Sequence, residues 1–347
     1  MPDFHLPGDL RERFGAFLAS DEFSNFAPEA KSEYWEYHSQ AISVRINGDI
    51  VTLGGKSGNY IPAPKGKRRF SSKPRLTNKL RAARKAFRDP EALRMLSLTA
   101  AFDLVMAERP ASGWRIPFVD IAKRQSAFPT SASVAASWFG KAKYAFTDDL
   151  LSYYYLYNVL TGLAETDRIH TVLEIGAGNG NMCALLHHHL GANALIVDLP
   201  ETLCLSIIFL SDLFPDASIL LPHEMDRFEP GKYDFVFLTP AQINLLPDGC
   251  VDLSLNKSSF QEMTPAQVQE YFALIQRATK PGGWFLCLNR GEKIPGVTAA
   301  PMRFAEYPWN PANKVLAYEE CRLGRITKPD SHWIRLEQIP FHEEKQR

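Results

Sequence analysis

The chain has 347 residues, 45% of them apolar and 22% charged, with 39 basic residues set against 39 acidic ones. That is the profile of a globular protein with room for one large domain, or a domain with a substantial appendage. A formal net charge of zero supplies no global field to recruit nucleic acid or an anionic membrane, and no apolar run approaches the ~20 residues that a membrane span requires. The start of the chain, Met-Pro-Asp-Phe-His, has neither the basic nor the apolar region of a signal peptide. Its five cysteines (Cys183, Cys204, Cys250, Cys287 and Cys321) are dispersed without a C-x-x-C pair. They read as reduced thiols, so a cytoplasmic location is expected.

The first elements are polar and carry scattered aromatics. Two β-rich runs, 42–46 and 50–53, flank Asn47-Gly48-Asp49, which predicts a hairpin over about 42–53. A basic strip follows at 65–88, with eleven Lys or Arg and no acid. It suits either anion binding or a solvated helix face with a loop. Residues 92–108 read as a helix, and 109–146 as an irregular connection containing Pro110, Pro117 and Pro129. Thr147 then caps a helix over 147–160, with Asp148 and Asp149 at its positive end. Three consecutive tyrosines at 153–155 cannot share one helical face. Tyr153 and Tyr154 are therefore expected on a substrate side.

Next comes Thr171-Val-Leu-Glu-Ile-Gly-Ala-Gly-Asn-Gly180, an apolar strand stopping abruptly at glycines, as a buried parallel strand does at a ligand loop. Gly176, Gly178 and Gly180 allow tight turning and close approach of a ligand. The loop opens into a helix N-terminus at 182–190. A second strand, Ala194-Leu-Ile-Val-Asp-Leu199, ends in a carboxylate where a doubly wound sheet holds a ribose. The dinucleotide pattern G-x-G-x-x-G is broken by Asn181, and no Lys-Ser/Thr follows to make a nucleoside-triphosphate loop. The remaining pattern is E-x-G-x-G-x-G, then helix, strand and acid. It resembles the first two motifs of class I S-adenosylmethionine-dependent methyltransferases.

Beyond it, 201–213 reads as a helix and 219–221 as an edge strand. Residues 234–238 read as the third strand and 251–255 as the fourth. Thr264 and Pro265 open an amphipathic helix over 267–280, which Pro281-Gly282-Gly283 should end before a fifth strand at 284–288. Two further runs, 314–319 and 332–338, suit a closing antiparallel hairpin. The segment V-D-L-S-L-N-K-S-S-F-Q-E-M at 251–263, P-G-G-W-F-L-C-L-N-R at 281–290, and Glu306-Tyr-Pro-Trp309 resemble the sugar O-methyltransferase family. A W-x-x-H at Trp35 and His38 is compatible with it. Asn179 and Lys257 depart from the family's usual residues and bear on substrate identity.

The resemblance implies an α/β fold: a doubly wound, Rossmann-like, seven-stranded sheet over 146–347. Residues 1–145 would form a mixed, mainly helical region for substrate binding or oligomerisation. It implies S-adenosyl-L-methionine as cofactor and a sugar or glycosylated small molecule as acceptor. Expected cofactor contacts are Glu174 (amino group), Gly176 and Gly178 (methionine backbone), Ala177, Asn179, Gly180, Asp198 (ribose diol), Leu199 (adenine face), Gln242 (adenine edge) and Asn256. Ligands sit beyond the carboxyl ends of such strands, so Ser259, Asn289 and Arg290 join Tyr153 and Tyr154 as substrate candidates. Glu262 is the expected general base, with His223 as second candidate. His187-His188-His189 point about 100° apart on a helix, so no metal site is expected there. Two alternatives stay open: an N- or O-methyltransferase of a non-sugar natural product, and a nucleic-acid or partner-binding protein with a residual methyltransferase fold. The missing N-P-P-Y-type tetrapeptide after strand four weighs against nucleobase chemistry.

Overall fold

The computed structural model describes residues 3–6, 8–24, 43–47, 50–54, 148–292, 302–321 and 332–341. In chain order these form β1 (Asp3–His5), α1 (Gly8–Leu18), α2 (Asp21–Ser24), β2 (Ser43–Asn47), β3 (Ile50–Gly54) and α3 (Asp148–Leu163). They continue as β4 (Thr171–Ile175), α4 (Asn181–Leu190), β5 (Asn193–Val197), α5 (Pro200–Leu213), β6 (Ile219–Leu220), β7 (Phe235–Leu238) and β8 (Val251–Lys257). Last come α6 (Pro265–Ala278), β9 (Thr279–Arg290), β10 (Lys314–Glu320) and β11 (His332–Gln338).

The main sheet has the order β10-β11-β9-β8-β4-β5-β7-β6. Strands β6, β7, β5, β4, β8 and β9 run parallel, and β11 and β10 close the other edge antiparallel. Parallel strands need helical crossovers, and α4, α5 and α6 supply them. The chain leaves β4 toward β5 on one side and returns to β8 on the other. β4 is therefore the switch point, and in open sheets of this kind ligands sit beyond the carboxyl ends of the strands there. As expected, β7 pairs with β5 as the third strand and β8 lies beside β4 as the fourth. Among the described residues the sheet has eight strands instead of seven, because the two-residue β6 adds an edge.

The layers follow from strand alternation. One face packs Val172, Ala194, Ile196, Leu253 and Leu255 against α3, α4, α5 and α1. The other packs Leu173, Ile175, Val197, Phe285 and Cys287 against α6 and Phe304 and Tyr307. The tyrosine run in α3 is buried throughout, at Tyr153, Tyr154, Tyr155 and Tyr157, so none of them faces solvent as a two-sided helix would require. The hairpin expected at 42–53 is present as β2 and β3, with β1 added antiparallel to β3.

α1 is clasped to the sheet edge. The Arg13 guanidinium donates through Nε to Glu224 Oε1 (2.7 Å) and through Nη2 to Glu224 Oε2 and the Ile219 carbonyl (both 2.6 Å). Phe14 and Phe17 bury completely beside this pair. Two boundaries differ from expectation. α6 ends at Ala278, and β9 begins at once, because Thr279 pairs with Val251 before the chain detours through Pro281-Gly282-Gly283 and resumes pairing at Trp284 with Leu253. The glycines serve that detour: a Cβ at Gly283 would lie 2.7 Å from the Asp252 carbonyl oxygen. The basic strip 65–88, the helix expected at 92–108, and Trp35, His38 and Thr147 lie outside the described residues.

Candidate active site

The three glycines after β4 do three different things. At Gly176 (φ +70°) a Cβ would lie 2.2 Å from Ser259 Oγ, and at Gly180 (φ +82°) 2.9 Å from the Leu210 side chain. These two permit packing, onto the segment after β8 and onto α5. At Gly178 (φ +61°) nothing lies within 4 Å of a built Cβ. Only this position keeps its Cα side open, which is what close approach of a ligand demands. The loop folds over β5: the Gly176 N–H donates to the Val197 carbonyl (2.8 Å) and the Gly178 N–H to Asp198 Oδ2 (2.8 Å).

Alternation sets the charges. Glu174 shares its face with Val172, Asp198 with Ile196, and Lys257 with Leu255. Three charged residues at the ends of three adjacent strands thus project to one side. Glu174 Oε2 accepts from the Cys183 N–H (3.3 Å) and thiol (2.9 Å) in the first turn of α4, where the helix dipole favours an anion. Its Oε1 is buried with no partner among the described residues. Burial pushes the Glu174 carboxyl up to about 7, against the lowering pull of Cys183 and of Lys257. Burial likewise pushes Asp198 up to about 7, although the Gly178 and Leu199 N–H groups each donate to it. Lys257 is 8% exposed, its Nζ 4.1 Å from the Tyr153 ring centroid. Cys183 was not singled out in the sequence; its spacing of nine residues from Glu174 across a turn into a helix was the available signal.

The opposite face carries a neutral network. Asn256 Nδ2 donates to the Ile175 carbonyl (3.0 Å) and to the Ser259 hydroxyl, which itself reaches that carbonyl (3.2 Å). Asn289 Nδ2 donates to Asn256 Oδ1 (2.7 Å), while Asn289 Oδ1 accepts from the Gln261 N–H (3.2 Å). Asn256 and Asn289 are essentially inaccessible. Their expected roles, cofactor contact for Asn256 and acceptor orientation for Ser259 and Asn289, give way to mutual satisfaction. They bolt the ends of β8 and β9 to β4.

Gln242 is also committed elsewhere. Its Oε1 accepts from Thr239 N–H (2.9 Å) and hydroxyl, and its Nε2 donates to the Pro222 carbonyl (2.7 Å). This caps a helical turn; it does not reach out to an adenine edge. His223 stacks on Phe17 (6.3 Å between centroids) beyond β6, three strands away from β4 and hence roughly 14 Å across the sheet. The structure does not bring it to Glu262. Glu262 closes a short helical turn after β8, half-buried, with its N–H on the Ser259 carbonyl (2.9 Å). The Arg290 N–H bonds Gln261 Oε1 (2.9 Å) at the end of β9. Ala177 and Leu199 are buried, and Asn179 is half-buried. His187 packs on Phe214 and Phe235, His189 on Tyr157, and His188 edge-on to His189 (5.6 Å between centroids). Among the described residues no group of His, Cys, Asp or Glu is disposed to hold a metal, and no helix is long and apolar enough to cross a membrane.

No protein-family model matches the chain, and no curated protein matches it in sequence. Solved structures similar to it include a geranyl diphosphate methyltransferase in complex with S-adenosylmethionine, at 12% identity and TM-score 0.40, covering 54% of this chain and 85% of that one. Another is an S-adenosylmethionine-dependent methyltransferase from Aquifex aeolicus, at 16% and 0.35, covering 53% and 89%. A third is the [4+2]-cyclase SpnF, at 12% and 0.38, covering 54% and 80%.

Proposed function

We propose that the chain is an S-adenosylmethionine-dependent methyltransferase that methylates a hydroxyl of a sugar or glycosylated small molecule. The observation that carries the cofactor reading is Glu174: a fully buried carboxylate with one oxygen lacking a donor, at the crevice beside β4. An unmet buried acceptor costs roughly 1–3 kcal/mol, and a cofactor ammonium supplies the missing donor. Asp198, one strand over, suits a ribose diol, and Leu199 suits the adenine face. Gly178 leaves room for the methionyl backbone.

When bound, the cofactor provides an electrophilic sulfonium methyl. The chain's part is to orient the acceptor oxygen and to take its proton. A sugar hydroxyl is a poor nucleophile at neutral pH, so a positioned base is worth roughly 10²–10⁴ in rate, and in-line alignment in a closed crevice up to ~7–11 kcal/mol. Glu262, on the segment leaving β8, is our candidate base. Arg290 at the end of β9 and Tyr153 on α3 are candidates for orienting the acceptor. Tyr154 is fully buried in α3 and shapes its packing. Transfer of a labelled methyl from S-adenosylmethionine into glycosylated metabolites, but not into their Glu262→Gln reactions, is the expected result. Transfer to amines that survives Glu262→Gln would replace this reading with that of a non-sugar methyltransferase.

A further inference from the structure

A cavity of about 210 Å³ lies at the outer edge of the sheet, where α1 meets the residues leading into β6 and β7. Methyl transfer at the carboxyl end of β4 makes no use of it. Its walls are of two kinds. Leu10, Phe214, Pro215, Ile219 and Tyr233 supply carbon, and Arg13 and Arg227 supply charge. Both guanidiniums converge on the buried Glu224 carboxylate: Arg13 by its two-pronged pair, Arg227 through Nη1 alone at 3.3 Å. One carboxylate balances only one of them. The remaining charge is met by Asp9, another wall residue, whose oxygen stands 3.6 Å from Arg13 Nη1 on a side chain that is 77% exposed. So loose and wet an ion pair contributes little. Arg227 is 57% exposed, and a guanidinium has five N–H donors, of which this one spends one on Glu224.

We propose that this cavity is a binding site for a small organic monoanion with an apolar body, an aryl or branched-alkyl carboxylate. The ligand carboxylate takes the place of Asp9 and pairs with Arg227 and with Arg13 Nη1, the strong form of such a contact. The body of the ligand covers Phe214, Ile219 and Tyr233. The volume lies below the ~300–1,000 Å³ of sites for drug-sized molecules, which restricts the occupant to about one ring. A nucleotide is too large, and inorganic phosphate would leave the carbon walls wet. The bound molecule joins α1 to the sheet edge, three strands away from β4, and so stands apart from the cofactor.

The test is calorimetric titration of the full chain with phenylacetate, with phenylacetamide, which lacks the charge, and with acetate, which lacks the body. Phenylacetate should bind, and the other two at least about tenfold more weakly. Arg227→Gln, at an exposed side chain, should weaken phenylacetate about tenfold. Asp9→Asn removes the competing carboxylate and should tighten it about threefold, a gain that damage to the fold cannot produce. Phenylacetate should raise the melting temperature of wild type and leave that of Arg227→Gln unchanged. Saturating phenylacetate should leave S-adenosylhomocysteine affinity as it was. Absence of phenylacetate binding, equal binding of the amide, or weaker binding by Asp9→Asn overturns the proposal. So does competition with S-adenosylhomocysteine, which would move the ligand to the carboxyl end of β4.

Discussion

Replacing Glu174 by Gln should make the protein more stable at neutral and alkaline pH while disabling it. The Glu174 carboxyl, held up to about 7 by burial, has an ordinary value near 4.3 in an unfolded chain. Between those two values the folded chain binds a proton that the unfolded chain has released, so stability falls as pH rises. Each pKa unit is worth 1.36 kcal/mol, which puts the full penalty above pH 7 at up to about 4 kcal/mol. Asp198, also held at about 7, adds a decline of the same sign over the same range. Gln keeps an acceptor for the Cys183 N–H and thiol and removes only the charge. Urea unfolding of wild type and Glu174→Gln at pH 5 and pH 8 measures the effect. The variants should converge near pH 5 and separate at pH 8, with Gln the more stable. Ligand binding should run the opposite way: an ammonium partner favours the carboxylate, so affinity for S-adenosylhomocysteine should rise with pH up to about 7 and flatten in the variant. Equal stabilities at pH 8, or a Gln protein that is the weaker there, would refute the idea that Glu174 is an unmet buried acid.

Four other outcomes follow from particular contacts. Asp198→Ala should lower S-adenosylhomocysteine affinity at least about tenfold, ~1.4 kcal/mol, with an unaltered circular dichroism spectrum; undiminished affinity by calorimetry would contradict the ribose assignment. Gly176→Ala, which drives a Cβ into Ser259, should cost about 2–5 kcal/mol from left-handed strain plus overpacking, whereas Gly178→Ala should cost only the strain, ~1–2 kcal/mol, and lose ligand instead; denaturation midpoints in the reverse order would count against both. Arg13→Ala takes away the two-pronged partner that holds the buried Glu224 carboxylate below its usual range and leaves it the Leu221 N–H (3.0 Å) and Arg227 Nη1 (3.3 Å), so it should cost about 1–2 kcal/mol in urea unfolding at pH 7. That loss should shrink as pH falls through the carboxylate range, because the paired anion is then protonated. Glu262→Gln should cut kcat about 10²-fold or more with little change in cofactor affinity, and full activity would exclude it as base.

The parallel core was legible in the chain because its signals are local. Val172, Leu173 and Ile175 stop at glycine, Asp198 closes the next strand, and Thr264 and Pro265 announce α6. The order of β7 and β8 followed from the same logic. What stayed hidden depends on groups far apart in sequence. Asn256 and Asn289, 33 residues apart, look like donors awaiting a substrate until β8 and β9 lie side by side and they bond each other. Gln242 looks available until Pro222 arrives beside it. Gly176 reads as ligand clearance, but its neighbour is Ser259. The tyrosines of α3 read as two-sided until that helix proves enclosed. In each case a polar or small residue found a partner that no local pattern names.

The separation of a charged face from a neutral one at the strand ends has a consequence for how such a protein can change. Amide bolts on one side keep the tips of β4, β8 and β9 in place whatever happens on the other. Charges there can be traded, moved or lost one at a time without unravelling the frame that displays them. A lineage built on this frame can therefore change what it grips while the frame itself stays as it is.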